Sequence, residues 1–231
     1  MIEIHTHILP SIDDGSQSVE ESLGILENMA NSGIKKVVAT PHFYPELSSI
    51  EEFLEKRQLS YEKIKENIPE NIDVFLGAEV MLTYNLHKED LRKLAIQGTD
   101  YILIELPYGR WDAWIFDEIF KISAKHSLNV IIAHIDRYID IAKKEQIRTL
   151  IGMELNFQVN VDDLGGIFHK SETIRFIKEG VADFVSSDCH NLTTRPPRLA
   201  DALEKIKKRA GKSSVERLMN NAEKMLQNKS I

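Results

Sequence analysis

At 231 residues, 42% hydrophobic and 28% charged, the chain has enough apolar material for one large α/β domain over residues 1–231 and needs no second. A net charge of −7 excludes the basic field that draws proteins to nucleic acid or to an anionic membrane surface. The single cysteine, Cys189, excludes an internal disulfide, and no early apolar run has signal-peptide or spanning length, so a soluble, cytoplasmic protein without membrane insertion is expected.

The first strand is expected over Ile2 to His5, where His5 and His7 stand two apart and a strand's period of two turns both imidazoles to one side. Asp13 and Asp14 follow in a turn closed by Gly15, and Ser16 to Ser18 offer caps for a helix over Val19 to Ser32. Strand and helix then alternate: strand Lys36 to Thr40, helix Ile50 to Asn67, strand Asp73 to Gly77, helix Lys88 to Gln97, strand Tyr101 to Glu105, helix Trp114 to His126. Strand Asn129 to Ala133, helix Tyr138 to Leu150, strand Gly152 to Leu155, helix Ser171 to Glu179 and strand Ala182 to Ser186 continue the pattern. Helices over Leu199 to Ala210 and Ser214 to Asn228 end the chain. Seven strands alternating with helices predict β/α units around a mostly parallel sheet.

The ionisable residues cluster at the strand ends. Strand two ends in Thr40-Pro41-His42, strand three runs into Glu79, strand four ends at Glu105, strand five is followed by His134, and strand seven by Asp188-Cys189-His190. In a closed β/α barrel these ends share one rim, where such barrels place their catalytic groups. His87, His126 and His169 fall in or beside helices and are expected at the surface.

Imidazole and carboxylate without thiolate suit manganese, iron, cobalt or zinc. Nine candidate ligands, His5, His7, Asp14, His42, Glu79, Glu105, His134, Asp188 and His190, are too many for one ion and predict two or three divalent ions. Asp188-x-His190 repeats the spacing of His5-x-His7, so an extended segment there turns both side chains to the metals and Cys189 away.

This ordered set, together with Asp13-Asp14-Gly15 and Thr40-Pro41-His42, resembles the polymerase and histidinol phosphatase (PHP) superfamily of metal-dependent phosphoesterases. Within it the chain is most similar to the CpsB and YwqE type of bacterial capsule and exopolysaccharide tyrosine phosphatase. Ile8 to Ser16, Ala39 to His42, Ala133 to Tyr138 and Ser187 to Pro197 carry that likeness. The resemblance implies a distorted seven-stranded TIM-like (β/α)7 barrel with C-terminal helices. It implies one ion on His5, His7, Glu79 and Asp188, a second on Glu79, Glu105 and His134, and a third on Asp14, His42 and His190, with manganese foremost. Glu105 stands where some superfamily members carry histidine. Arg137 is the leading phosphate clamp and Arg195 a second, since a guanidinium matches two phosphate oxygens at once. Arg137, Glu105, Asp14 and His42 are the expected catalytic groups, and metal-activated water is the expected nucleophile, with Asp13 or a rim histidine as the leaving-group acid. The implied partner is the phosphotyrosine-bearing tail of a bacterial tyrosine kinase. Nothing in the sequence sets the oligomeric state.

Three other readings compete with that one. Histidinol phosphate phosphatase is the small-molecule alternative, and a metal-binding scaffold the non-enzymatic one. Cys189 and Arg195 stand in the Cys-x5-Arg register of cysteine-dependent tyrosine phosphatases, but the intervening loop lacks glycine and Pro196-Pro197 follows at once. Tyr108, Arg110, Trp111 and Trp114, just after Glu105, are aromatic and basic candidates for the same rim.

Overall fold

The computed structural model describes residues 1–161 and 170–231. Nine parallel strands are described: β1 Ile2–Thr6, β2 Lys36–Ala39, β3 His42–Phe43, β4 Asp73–Leu76, β5 Glu79–Met81, β6 Tyr101–Glu105, β7 Asn129–Ile132, β8 Asn156–Asn160 and β9 Phe184–Ser186. They form a three-stranded sheet, β1-β2-β4, and a six-stranded half-barrel, β3-β5-β6-β7-β8-β9. β2 and β4 match two expected strands to within one residue, and after a break each is continued by a short further strand, β3 and β5, beyond the expected bounds. Pro41 has no N–H to give a ladder, and a Cβ on Gly77 would sit 3.3 Å from side-chain carbons of Thr40 and Val38. The breaks coincide, so pairing resumes in step: Ala39 faces Leu76 before the gap and His42 faces Glu79 after it.

Register then decides which residues share the inner face. Glu79 pairs with Leu103, Leu103 with Ile131 and Ile131 with Asn156, so these four point one way and Glu105 and Gln158, two residues further on, do the same. Leu103 and Ile131 join Val38, Tyr101 and Phe184 in an apolar floor beneath the site. Ile102, Ile104 and Ile132 point the other way into the main core. Between β9 and β1 there is a single bridge, Thr6 to Cys189, reinforced by His7 N–H donating to Cys189 O at 2.9 Å.

The helices are α1 Val19–Asn31, α2 Ile50–Glu62, α3 Ala113–His126, α4 Lys144–Ile151, α5 Lys170–Glu179, α6 Leu199–Ala210 and α7 Lys212–Leu226. Among the described residues no helix is long and apolar enough to cross a membrane.

Three expectations need correction. The sixth strand lies at Asn156–Asn160, while Gly152 to Leu155 forms the turn after α4. The expected helix over Lys88 to Gln97 is two 3-10 turns, Leu86–Lys88 and Leu91–Leu94. Within that span Leu91, Leu94 and Ile96 are buried and Leu86 is buried just before it, and the gap of five from Leu86 to Leu91 does not fit a helical face, so Glu89 is extended between them. The helix expected from Tyr138 begins instead at Lys144, after a 3-10 turn over Ile135–Tyr138 that seats Tyr138 in the core, where its hydroxyl accepts from Leu106 N–H at 2.8 Å. His169 lies outside the described residues.

Candidate metal centre

The strand ends deliver all nine predicted ligand residues to one place. Nε2 of His5, on β1, and Nε2 of His7, just past its end, approach to 3.3 Å. Both face Glu79 Oε2, at 3.1 and 3.2 Å, and Asp188 Oδ1, at 3.4 Å each. All four side chains are buried. On the other side of Glu79, Nδ1 of His42 lies 3.1 Å from Oε2 and 3.8 Å from Glu105 Oε2. His134 Nε2 lies 2.8 Å from Glu79 Oε1 and 3.5 Å from Glu105 Oε1. Asp14 Oδ1 lies 3.4 Å from His42 Nε2 and 3.3 Å from His190 Nε2.

Three groups of donors are each compact enough for one ion: His5, His7, Glu79 and Asp188; His42, Glu79 and Glu105; and His7, Asp14, His42 and His190. The first is the set that the resemblance implies. The others differ in that His42 stands beside Glu79 and Glu105, and His7 beside Asp14. His190 carries a further complication, because its Nδ1 faces Asp188 O at 3.0 Å and its Nε2 accepts from Arg195 Nη1 at 2.7 Å.

The donor set fits a divalent ion. Asp188 Oδ1 is buried, makes no hydrogen bond and faces two imidazole nitrogens. Burial alone raises the Glu79 carboxyl, but His5, His134 and His7 outweigh it and hold it well below the usual carboxylate range. Burial acts against Asp188 as well, and His5 and His7 again hold it well down. In return, the carboxylates overcome burial to raise His7 well above the ordinary imidazole value and His134 to about 9. Nitrogen and oxygen donors without sulfur suit manganese, iron, cobalt or zinc.

Behind the ligands lie groups that hold them. Asp13 Oδ2 accepts from His7 Nδ1 at 2.7 Å and from His42 N–H at 2.9 Å, and its Oδ1 accepts from Gly15 N–H at 2.9 Å. Burial opposes its ionisation, but these donors bring the Asp13 carboxyl down to about 2. Arg137 and Arg195 both donate to Asp188 Oδ2, at 2.7 and 2.6 Å. They also line a cavity of about 250 Å3 that opens over Glu79 and Glu105 between Tyr44 and Tyr108. Gln158 and Asn160 of β8 complete this shell, and motif reading missed them because the strand was placed four residues early.

Several other candidates fall elsewhere. Cys189 is fully buried in the main core, and burial pushes its thiol well up, so no thiolate is available for the Cys-x5-Arg reading. Of the aromatic stretch only Tyr108 lines the cavity. Trp111 is buried, with Nε1 donating to Pro107 O at 3.0 Å, Trp114 packs edge-on against Tyr84, and Arg110 is exposed beside Asp112. His87 and His126 are half-buried rather than at the surface: His87 Nδ1 pairs with Glu118 at 2.7 Å, and His126 Nε2 donates to His87 O at 2.9 Å.

Comparison with known proteins adds to this geometry. The family model for capsular polysaccharide synthesis, CpsB/CapC, matches residues 1–227. The tyrosine-protein phosphatase YwqE of Bacillus subtilis (strain 168) is 31% identical over 243 residues, covering 100% of this chain and 93% of that protein. The tyrosine-protein phosphatase CpsB of Streptococcus agalactiae serotype III is 30% identical, covering 99% of both. A crystal structure from work on YwqE of Bacillus subtilis and CpsB of Streptococcus pneumoniae, described there as unique metal-dependent tyrosine phosphatases, superposes with a TM-score of 0.82 at 28% identity. It covers 100% of this chain and 96% of that one.

Proposed function

The chain belongs to the CpsB/CapC family of capsular polysaccharide synthesis, and from that premise we propose that it is a metal-dependent protein-tyrosine phosphatase using the centre formed by β1, the β3 and β5 strands and the ends of β6, β7 and β9. The observation that carries this reading is the convergence of five imidazoles and four carboxylates on one rim beside two arginines.

Bound divalent ions would supply charge neutralisation and a water acidic enough to attack phosphorus near neutral pH. His5, His7, Glu79 and Asp188 would hold one, Glu79, Glu105, His42 and His134 would surround a second, and Asp14, His42, His7 and His190 would serve a third, with manganese the expected metal. Arg137 and Arg195 reach the cavity from its Asp188 side, where their remaining N–H groups bind non-bridging phosphoryl oxygens in pairs. Tyr44, stacked on His42, and Tyr108, stacked on His134, flank the cavity and fit the faces of a phenyl ring. Burial raises both of their hydroxyls, so they stay protonated and serve as donors.

If β2 with β3 and β4 with β5 are each counted as one interrupted strand, the count is seven, and the Thr6 to Cys189 bridge is then the closing contact; this supports the (β/α)7 barrel and a single domain over residues 1–231. The substrate we infer is the phosphotyrosine tail of a bacterial tyrosine kinase, met in the cytoplasm.

Hydrolysis of a phosphotyrosine peptide and of histidinol phosphate, before and after chelation, tests the reading. Peptide hydrolysis should vanish with chelator, return with manganese, exceed turnover of histidinol phosphate and survive Cys189→Ser. Activity that resists chelator and disappears in Cys189→Ser would overturn it.

A further inference from the structure

Two buried amides on β8, Gln158 and Asn160, lie directly behind the ligand atoms. The backbone N–H of His134 is 2.8 Å from one side-chain atom of Gln158. A backbone N–H only donates, so that atom is the carbonyl oxygen, Oε1. The same Oε1 lies 3.2 Å from Nδ1 of His5, and this contact is a hydrogen bond only when Nδ1 carries the proton. Nε2 of His5 is then left bare, facing Glu79, Asp188 and His7.

The other end of the pair gives the same orientation independently. Gln158 Nε2 donates to Asn160 Oδ1 at 2.7 Å, and Asn160 Nδ2 donates to Asp188 Oδ2 at 2.8 Å. A carboxylate only accepts, so the Asn160 amide cannot be turned round without setting oxygen against oxygen. Donor-only His134 N–H at one end and acceptor-only Asp188 at the other give the chain a single sense. Asp188 Oδ2 also receives Arg137 and Arg195, which leaves Oδ1, buried and without a hydrogen bond, as the oxygen turned to His5 and His7.

We propose that Gln158 and Asn160 are positioning residues that set the His5 tautomer and select Oδ1 of Asp188, and so govern the affinity of the His5, His7, Glu79 and Asp188 site for its divalent ion. The proposal rests on the reading of that site as metal-binding. Neither amide touches substrate; both act through the ligands. Without the Gln158 acceptor, His5 is free to place its proton on Nε2, where the ligand lone pair is required.

Zinc, which is diamagnetic, is the probe. Its affinity is measured by competition with a chelator for the wild type, Gln158→Met and Gln158→Glu, and histidine tautomers are read by 15N NMR of the zinc-loaded wild type. Methionine neither accepts the two N–H groups nor donates to Asn160, whereas glutamate keeps an oxygen for both N–H groups and loses only the donor to Asn160 Oδ1. Gln158→Met, which loses both the acceptor and the donor, should bind the tightest zinc about 10- to 100-fold more weakly, and Gln158→Glu, which keeps the acceptor for His5, should lose less than Gln158→Met. The wild type should show His5 with its proton on Nδ1 and zinc on Nε2. Equal zinc affinity in Gln158→Met and wild type, equal losses in both variants, or His5 bound to zinc through Nδ1 would each overturn the proposal. The NMR result stands even if the methionine variant fails to fold. Wild type that takes up no zinc, manganese or cobalt would instead refute the metal reading of the site itself, and this proposal with it.

Discussion

Asp13 shows how much of this centre depends on one carboxylate that holds no ion in any of the three donor groups. Three N–H donors converge on it, and one of them is the ring of His7. Asparagine has the same shape but offers an acceptor on one side only, so one of those donors would face an NH2 group. Asp13→Asn is therefore expected to lower metal-dependent turnover about 10- to 100-fold, the usual cost of losing a partner of a metal-bound histidine. It should also cost stability with a definite pH signature. The folded-state carboxyl is depressed to about 2, so its contribution of about 2 kcal/mol is present above the unfolded value near 3.8 and is lost as pH falls from there through about 2. Urea unfolding at neutral pH should separate wild type from variant, and the gap should narrow as pH falls below about 4 and lose its ionic part only below about pH 2; a gap that is constant with pH would remove the ionic part of the explanation. The ligands themselves were legible because histidines and carboxylates at strand ends announce themselves one by one. Asp13 was not, since its role depends on which imidazole it meets, and adjacent Asp14 offers the same chemistry in the sequence.

The turn that carries Asp13 is held against β1 at its glycine. Gly15 has an ordinary backbone angle, so conformation is not its reason. A Cβ there would lie 2.2 Å from His7 O and 2.4 Å from His7 Cβ, atoms of a fully buried residue directly after β1. Gly15→Ala should push the turn off β1, break the Ser16 N–H to His7 O bond, and pull Asp13 from His7. We expect destabilisation of about 1 to 3 kcal/mol together with loss of bound metal, measured by thermal denaturation and elemental analysis; a variant with full metal content would contradict the packing argument. Elements of this kind divide by how they advertise themselves. Leu199 to Ala210 was legible to the residue because its buried positions recur at helical spacing. β8 was not, because Asn156, Gln158 and Asn160 face inward on a strand with only Phe157 and Val159 as its apolar face, so the preceding Gly152 to Leu155 looked the better strand. The function of β8, holding ligands from behind, is what made it hard to see. The broken strands were hidden for a related reason: a proline and a glycine mark a break, but that the two breaks coincide is a property of pairing.

At the scale of the whole molecule, α7 is latched across the foot of the sheet, and that latch carries a pH dependence distinct from that of the metal centre. Arg217 donates to Ile177 O and Ala182 O at 2.8 Å each, and Asn221 Nδ2 donates to Asp183 O at 3.1 Å. The Asp183 side chain meanwhile accepts from Phe157 N–H at 3.0 Å, joining the start of β9 to β8. Burial raises the Asp183 carboxyl to about 6, and neither that hydrogen bond nor Arg217 fully offsets it. A carboxyl raised on folding binds its proton more tightly in the native state. The native state is thus favoured at low pH, and that advantage is lost as pH rises from the unfolded value near 3.8 through about 6. Asp183→Asn removes the ionisation while keeping an oxygen for Phe157 N–H. Allowing for solvent screening of a side chain that is partly exposed, the variant should gain about 1 to 2 kcal/mol at neutral pH and nothing near pH 4. Paired unfolding curves across that range check the sign as well as the size. A variant that is no more stable at pH 7 than the wild type, or whose gain is largest at pH 4, would show that Asp183 is held ionised by Arg217 rather than pressed toward neutrality by burial. Because Asp183 lies apart from the ligands, its replacement should leave chelator-sensitive turnover unchanged, which separates the stability of the fold from the chemistry of the rim.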